Sequence, residues 1–264
     1  MAAAAVRCGV RKLRVTGGEP LVRRGIVDFC RMLREIDGVE ELCLTTNGSL
    51  LPALAAPLRA AGVGRLNISL DTLRPERFAA ITRLGTVVDV LHGIEAAETA
   101  GFERLKLNCV LLGGVNDDEI SDFVELTREK PWQVRFIERM PMGACDDYGA
   151  YLPARTVLER CPSLTPCGSD GVASLYRLPG GRGTVGLITP MSHEFCGACS
   201  RIRITADGRL KPCLHSDAEI ALRALSGAEL EQAIRRGILA KPAQHHLNAE
   251  GVTETHRAMN EIGG

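Results

Sequence analysis

The 264-residue sequence lacks a long apolar run, an excess of charge of either sign and a GxGxxG dinucleotide-binding motif. No window approaches a membrane span, and the opening MAAAAVRCGV is too short for a signal peptide and lacks its charged start. Lys plus Arg and Asp plus Glu number 32 each, so the summed charge gives no reason to expect nucleic acid or a membrane as partner. Any anion site must therefore come from local clustering of cations.

The sequence contains ten cysteines but no export signal. This combination predicts a reducing cytoplasm, where thiols serve metal binding or catalysis more often than disulfides. Most of them are expected to be core residues, such as Cys30 and Cys43, which lie on apolar faces.

Short β-rich runs alternate with amphipathic helical stretches through the first half of the chain. The runs lie at 12–16, 41–46, 65–70, 104–112 and 133–138. A helix between the first two is indicated by the spacing of Ile26, Phe29, Cys30, Leu33 and Ile36. Strands separated by roughly 25 to 40 residues are typical of βα units and a parallel sheet. The pattern favours an α/β fold, an incomplete parallel β/α barrel of the TIM type, over a dinucleotide-binding fold.

The composition changes near residue 140, where MPMGACDDYGAYLP predicts a linker. We therefore expect a partial barrel over 1–140 and a C-terminal α+β region over 141–264. In the second region the pattern predicts strands near 172–178, 183–189, 200–205 and 209–214, followed by helices through 217–261.

Polar side chains recur on one parity of four predicted strands. The set is Lys12, Arg14 and Thr16; Cys43, Thr45 and Asn47; Asn67, Ser69 and Asp71; Lys106 and Asn108. An ordinary β/α barrel fills its interior with Val, Ile and Leu, and buried unpaired charge is costly. The pattern favours a wet cavity for an anionic ligand, with solvated strand ends as the alternative. After the first strand, TGGEP places Gly17 and Gly18 where backbone can approach a ligand, and Glu19 offers a carboxylate to an ammonium group.

Residues 192–214, SHEFCGACSRIRITADGRLKPCL, contain three cysteines in the spacing CxxCx13C. Three thiolates are one too few for a closed tetrahedral zinc site. Thiolates suit iron–sulfur clusters, and an open position is a site for a ligand. His193 or His215 could instead complete a structural zinc site, although this would leave Arg201 and Arg203 unexplained.

The sequence resembles the molybdenum cofactor biosynthesis protein A family, the GTP 3',8-cyclases of the radical S-adenosylmethionine (SAM) superfamily. The resemblance runs from about residue 6 to residue 264 on the motifs RVTGGEPLVRR, LTTNG, RLNISLD, LKLNCVLLGGVN, RFIERMPMG, FCGACSRIRITADGRLKPCL and the ending IGG. It implies a barrel with SAM and a first 4Fe–4S cluster, and a C-terminal region whose second cluster leaves one iron open to the guanine of GTP. It also implies GTP as substrate and cyclic pyranopterin monophosphate synthase as the next enzyme, and allows a homodimer.

The resemblance assigns roles residue by residue. Ligands of the second cluster would be Cys196, Cys199 and Cys213. GTP contacts would come from Lys12, Arg14, Thr45, Lys106, Arg135, Arg201, Ile202 and Arg203. The SAM side would include Gly18, Glu19, Ser69 and Met140. Catalytic positions would be Arg14 and the tail Gly263 and Gly264, for which simple terminal disorder is the alternative.

The CxxxCxxC motif that precedes TGGEP in this family, and binds the SAM-cleaving cluster, does not occur in this sequence. MAAAAVRCG is predicted to be the end of the first barrel helix. We therefore expect an N-terminally truncated form that cannot cleave SAM. The alternatives are an inactive zinc-binding barrel and another radical SAM enzyme with an auxiliary cluster, such as a peptide-modifying type. Iron with sulfide rather than zinc, and GTP binding rather than peptide binding, would distinguish them.

Overall fold

The computed structural model describes residues 1–141, 149–193, 196–243 and 253–262. The strands are β1 (Lys12–Val15), β2 (Glu41–Thr46), β3 (Arg65–Ser69), β4 (Leu105–Leu111), β5 (Gln133–Glu138), β6 (Thr165–Asp170), β7 (Ala173–Arg177), β8 (Thr184–Ile188), β9 (Arg203–Ile204), β10 (Arg209–Lys211) and β11 (Ile220–Ala221). The α-helices are α1 (Ala2–Arg7), α2 (Ile26–Arg34), α3 (Leu51–Ala60), α4 (Pro75–Thr82), α5 (Val87–Thr99), α6 (Ile120–Glu129), α7 (Arg155–Arg160), α8 (Gly227–Leu239) and α9 (Met259–Ile262). Short 3-10 helices lie at Pro20–Val22, Asp117–Glu119 and Cys196–Ala198.

An eight-stranded sheet runs in the order β1-β2-β3-β4-β5-β8-β7-β6. Pairing is parallel from β1 through β5 to β8, and β7 and β6 then continue antiparallel. On the helix-covered face, Leu44, Leu66, Ile68 and Leu107 are fully buried. The open sheet, with β1 and β6 at its edges, confirms the predicted incomplete parallel β/α barrel. Helix α1 coincides with the stretch predicted to be the end of a barrel helix.

Helix α5 packs directly against the loop that follows β2. Thr86 starts the helix in a capping box, since its hydroxyl accepts from the Asp89 N–H and the Asp89 carboxylate accepts from the Thr86 N–H. A Cβ at Gly93 would lie 2.1 Å from the Gly48 carbonyl oxygen, so this close approach requires glycine. The contact fixes the loop that carries Asn47 at the carboxyl end of the sheet.

The C-terminal region combines a hairpin with a small second sheet, ordered β11-β10-β9. Helices α8 and α1 pack with this sheet in a separate apolar cluster around Ala5, Leu210 and Ile234. Strand β6 was not predicted, because TPCGSD has low β-propensity; pairing with β7, through a bulge near Gly168, makes it a strand. The helix predicted from residue 217 is wrong at its start, since residues 220–221 form β11 and α8 begins at Gly227.

The large sheet continues across the predicted boundary at residue 140. Strand β5 pairs in parallel with β8 along five residues, from Gln133 opposite Thr184 to Ile137 opposite Ile188. The division into 1–140 and 141–264 stays a prediction. Within the described ranges, no helix combines the length and apolar character that crossing a bilayer requires.

Candidate active site

Strand register places the predicted polar side chains in rows on one face of the sheet. Residues opposite each other in a parallel pair share a face. The rows are Arg14–Cys43–Arg65, Thr45–Asn67–Lys106–Gln133, and Ser69–Asn108–Arg135. Leu13 and Val15, of the other parity, pack into the apolar core.

Arg65 belongs to this face although sequence analysis did not assign it to the site. Its side chain is 4 % exposed, donates to the Cys43 sulfur at 3.0 Å and pairs with Glu41 at 2.9 Å. The two-residue period of Arg65, Asn67 and Ser69 would have identified it had the alternation been extended to the start of the strand.

Six cations converge on this face and on the adjoining cysteine segment. They are Arg14, Arg65, Lys106, Arg135, Arg201 and Arg203. Burial, reinforced by Arg135, lowers the pKa of Lys106 to about 8. Burial likewise lowers the pKa of Arg135 to about 10, against the opposing charge of Asp170. Burial, together with Arg201, lowers the pKa of Arg203 to about 10. The site therefore holds positive charge that a bound anion would stabilise.

Two carboxylates partly compensate these cations. Glu41 pairs with Lys12 and with Arg65. Asp170, at the end of β6, pairs with Lys106 and accepts from Arg135 at 2.8 Å, and these cations help to hold its pKa down at about 2. Asp170 was not among the predicted site residues, because nothing in TPCGSD indicates which strand it joins.

Several buried polar atoms on the face have no hydrogen-bond partner among the described residues. They are Thr45 Oγ1, Arg65 Nε, Asn67 Oδ1, Asn67 Nδ2 and Asn108 Oδ1. Leaving such groups unpaired is costly, and native proteins seldom do so without a functional reason. Their position between the cations fits a site completed by a polar, anionic ligand.

A cavity lies at each end of the polar rows. At the amino ends of the strands a cavity of about 400 Å³ is lined by Lys12, Glu41, Arg65, Glu103, Arg104, Leu105, Lys106, Pro131, Gln133, Asp170 and Thr184. At the carboxyl ends a cavity of about 330 Å³ is lined by Thr16, Gly17, Gly18, Thr45, Thr46, Asn47, Ser69 and Met259. Gly17 has φ +156° and open space at its missing Cβ, so backbone is accessible there. The cavity at the amino ends, lined by Lys12, Arg65 and Lys106, suits a polyphosphate.

The carboxylate of Glu19 accepts several hydrogen bonds from the protein itself. It accepts from the Leu21 N–H at 2.9 Å, the Thr46 hydroxyl at 2.7 Å and the Asn47 N–H at 2.6 Å. The TGGEP turn is thereby tied to the end of β2. Met140 is the second residue after β5 and is not among the described residues that line the cavity at the carboxyl end.

The cysteine segment, which lies in the C-terminal region, is held together by hydrogen bonds of its own backbone and of Lys241. Cys196 opens a 3-10 turn, and the Cys199 N–H donates to its carbonyl at 3.0 Å. Lys241 contacts the Cys199 sulfur at 3.5 Å and donates to the Pro212 carbonyl at 3.2 Å, linking the regions of Cys199 and Cys213.

The electrostatic surroundings of the cysteines bear on the metal group that they could hold. Burial favours a neutral Cys199 thiol, but the Arg201 N–H and the charge of Lys241 outweigh burial and lower its pKa. Arg203 interacts electrostatically with Cys199 and Cys213. Within the described ranges no three His, Cys, Asp or Glu side chains converge closely enough to hold a single ion. His215 Nδ1 lies 3.3 Å from the Thr253 hydroxyl. The lowered pKa of Cys199 favours the thiolate, the form in which a cysteine binds iron or zinc.

Arg201 and Arg203 flank Ile202, whose side chain packs against the apolar cluster of the C-terminal region. This packing anchors the segment from which both arginines project. Gly263 and Gly264 lie outside the described residues. The preceding segment is held by Arg257, which donates to Glu219 at 2.9 Å and to Asp207 at 2.8 Å.

Comparison with known proteins gives matches over nearly the whole chain. The Radical SAM superfamily model matches residues 1–127, and the Molybdenum Cofactor Synthesis C model matches residues 132–247. The GTP 3',8-cyclase of Alkaliphilus oremlandii is 46% identical over 268 residues, covering 99% of this chain and 84% of the relative. Those of Heliobacterium modesticaldum and Moorella thermoacetica are both 47% identical, covering 97% and 100% of this chain and 83% and 85% of the relatives.

The parallel β/α sheet, the TGGEP turn and the cysteine segment therefore define a protein of the radical SAM class with a C-terminal molybdenum cofactor synthesis region. Within that class, the chain belongs to the GTP 3',8-cyclase family.

Proposed function

We propose that this chain is a GTP 3',8-cyclase of molybdenum cofactor biosynthesis, converting GTP to 3',8-cyclo-7,8-dihydroguanosine 5'-triphosphate. The observation that carries the proposal is the convergence of six cations on one sheet face with buried amide and hydroxyl groups that have no partner in the described part of the chain. A nucleoside triphosphate supplies both the negative charge and the hydrogen-bonding groups that this face requires.

Each element of the site has a role in this reaction. Lys12, Arg14, Lys106 and Arg135 would bind the triphosphate at the amino-terminal cavity, where charge-assisted bonds to phosphate oxygens are strong. Thr45 would hold the nucleoside near the boundary with the cavity at the carboxyl end. Arg201, Ile202 and Arg203 would orient the guanine toward the cysteine segment. The rigid sheet then fixes ribose and base relative to each other.

The family uses a 4Fe–4S cluster and SAM. In this chain Cys196, Cys199 and Cys213 would hold a cluster with one open iron, and Gly18, Glu19, Ser69 and Met140 would contact SAM. SAM, cleaved at a first cluster whose CxxxCxxC ligands do not occur in this sequence, would supply the radical that removes the ribose 3' hydrogen before the carbon–carbon bond to guanine C8 forms. The product would pass to cyclic pyranopterin monophosphate synthase, and a homodimer stays a prediction.

GTP binding tests the proposal. Calorimetry should show that Arg14→Ala and Arg203→Ala weaken GTP binding by about 1.5–3 kcal/mol, because each loses a charge-assisted bond. Arg128→Ala is the matched control, since Arg128 is exposed and pairs with Glu125 on α6. Affinity unchanged in both site variants would contradict the assignment.

Anaerobic reconstitution of the unmodified chain and of Cys199→Ala tests for the cluster. Iron and acid-labile sulfide near four each per chain are expected if one 4Fe–4S cluster binds, with loss of both in Cys199→Ala. Stoichiometric zinc without sulfide would instead support the structural zinc site.

A further inference from the structure

Asp170 accepts hydrogen bonds from two of the cations that the proposed function gives to phosphate. A single oxygen, Oδ2, receives both Lys106 Nζ and Arg135 Nη2, the latter at 2.8 Å. The two donors are 6 % and 5 % exposed, so their charged groups have few other partners to reach. The carboxylate therefore lies where a phosphate oxygen would make the same two charge-assisted bonds.

The carboxylate also lines the cavity of about 400 Å³ at the amino ends of the strands. A polyphosphate that entered this cavity would place further negative charge beside Asp170. Like charges at contact distance repel strongly in a partly desolvated site. Carboxylate and phosphate therefore compete for Lys106 and Arg135.

Asp170 lies at a position in the sheet from which its carboxylate can move away from the two cations. It ends β6, an edge strand whose residues are almost all exposed, and Gly171 with φ +63° begins the turn to β7. A bulge near Gly168 already loosens the pairing of β6 with β7. Glu41, the other carboxylate among these cations, sits instead on β2, which is paired on both sides. Displacement of β2 would disturb two strand pairings, whereas displacement of the end of β6 would disturb only its pairing with β7.

We propose that Asp170 is an exchangeable counterion that orients Lys106 and Arg135 and is displaced by the polyphosphate of the substrate. It thereby lowers the affinity of the site for polyphosphate and acts as a positioning residue. This inference rests on the proposed function for the identity of the ligand, a nucleoside triphosphate.

Calorimetric titration with GTP and with inorganic tripolyphosphate tests the inference. Asp170→Asn should bind both ligands about tenfold more tightly than the unmodified chain, because no anion competes for the two cations. Asp117→Asn is the matched control, since Asp117 pairs with Arg160 away from the site, and it should leave both affinities unchanged. Equal or weaker binding by Asp170→Asn overturns the inference.

The two ligands separate this inference from the proposed function. Tighter tripolyphosphate binding by Asp170→Asn without any GTP binding would support the counterion and contradict the cyclase assignment. GTP binding with the same affinity in Asp170→Asn and in the unmodified chain would support the cyclase assignment and contradict the counterion.

A second measurement needs no variant and covers the case in which Asp170→Asn does not fold. A crystal structure of the unmodified chain with GTP or tripolyphosphate should show Lys106 Nζ and the Asp170 carboxylate separated by more than about 4 Å, the limit of an ion pair. Retention of that ion pair beside a bound phosphate overturns the inference.

Discussion

The charge of Lys106 depends strongly on its surroundings. It is 6 % exposed, and Arg135 adds repulsion to the cost of burial, while Asp170 partly offsets both. The resulting pKa of about 8 lies far below the 10.5 of a free lysine. Lys106 therefore loses its charge at a lower pH than Arg135 and Arg203, whose pKa values are about 10.

GTP affinity should fall as pH rises through about 8. Only protonated Lys106 attracts phosphate, so binding is at its plateau below a pKa of about 8 and weakens above it. The loss of GTP affinity should reach at most about tenfold per pH unit. It ends at the pKa of Lys106 in the complex, which the bound phosphate raises. Calorimetry between pH 7 and pH 10, a range set by about one to two units around that pKa, measures the profile.

Lys106→Arg is the control, because arginine stays charged across this range. Its GTP affinity should show no decline near pH 8. An identical decline in both proteins would mean that another group titrates.

At the scale of secondary-structure elements, Glu138 links the end of β5 to two other segments. Its carboxylate, 0 % exposed, accepts from the Ala154 N–H at 2.9 Å, the Met191 N–H at 3.0 Å and the Ser192 N–H at 2.9 Å. The Ser192 hydroxyl also donates to it. These bonds hold the pKa of Glu138 low against burial, and they fix the segment that leads to Cys196 against the sheet.

Glu138→Gln should lower the free energy of unfolding by about 3 kcal/mol, because an amide group would face N–H donors with a donor of its own. Iron and sulfide loading should fall with it, since the cysteine segment loses its attachment. Urea denaturation and metal analysis measure the two effects.

Glu129→Gln is the matched control at the exposed end of α6 and should behave as the unmodified chain. Equal stability and equal loading of both variants would show that the carboxylate does not position the segment.

At the scale of the whole molecule, pairing of β5 with β8 joins the cation-bearing strands to the C-terminal region. The entry to β8 is tight: a Cβ at Gly183 would lie 2.3 Å from the Trp132 carbonyl oxygen and 2.6 Å from that of Lys130. Backbone atoms cannot move aside as a flexible side chain can. We infer that the sheet unfolds as one cooperative unit across the predicted boundary.

Gly183→Ala should therefore destabilise the chain by about 3 kcal/mol, through overpacking that pushes β8 away from β5. Urea denaturation followed by fluorescence of Trp132 and by circular dichroism should give a single shared transition at a lower midpoint.

Gly64→Ala is the matched control, because its Cβ would meet nothing closer than 3.9 Å and Gly64 is exposed. It should stay within about 1 kcal/mol of the unmodified chain. Two separated transitions would show that the regions unfold independently, and equal effects of the two substitutions would contradict the close packing at Gly183.

The sequence predicted the strands of the first half well, because each one alternates or is continuously apolar and is bounded by turn residues. All five, β1 to β5, lie within or at the predicted ranges. It failed at β6, whose Gly, Pro and Ser residues carry no strand signal, and at β11, where two residues are too short for any period. Pairing with neighbours decides such strands, and pairing is not a local property.

The alternation of polar residues along β1 to β4 determined by itself that Arg14, Thr45 and Lys106 share a face, because side-chain direction follows from the two-residue period of a strand. The cysteine spacing and TGGEP, through their resemblance to a radical SAM family, likewise indicated the class of chemistry to expect. Only the tertiary structure decided that Asp170 meets Lys106 and Arg135, that Lys241 reaches Cys199, and that Glu138 holds the segment before Cys196. These contacts join residues 35 to 64 positions apart, and they depend on strand order and loop path, which no local pattern encodes.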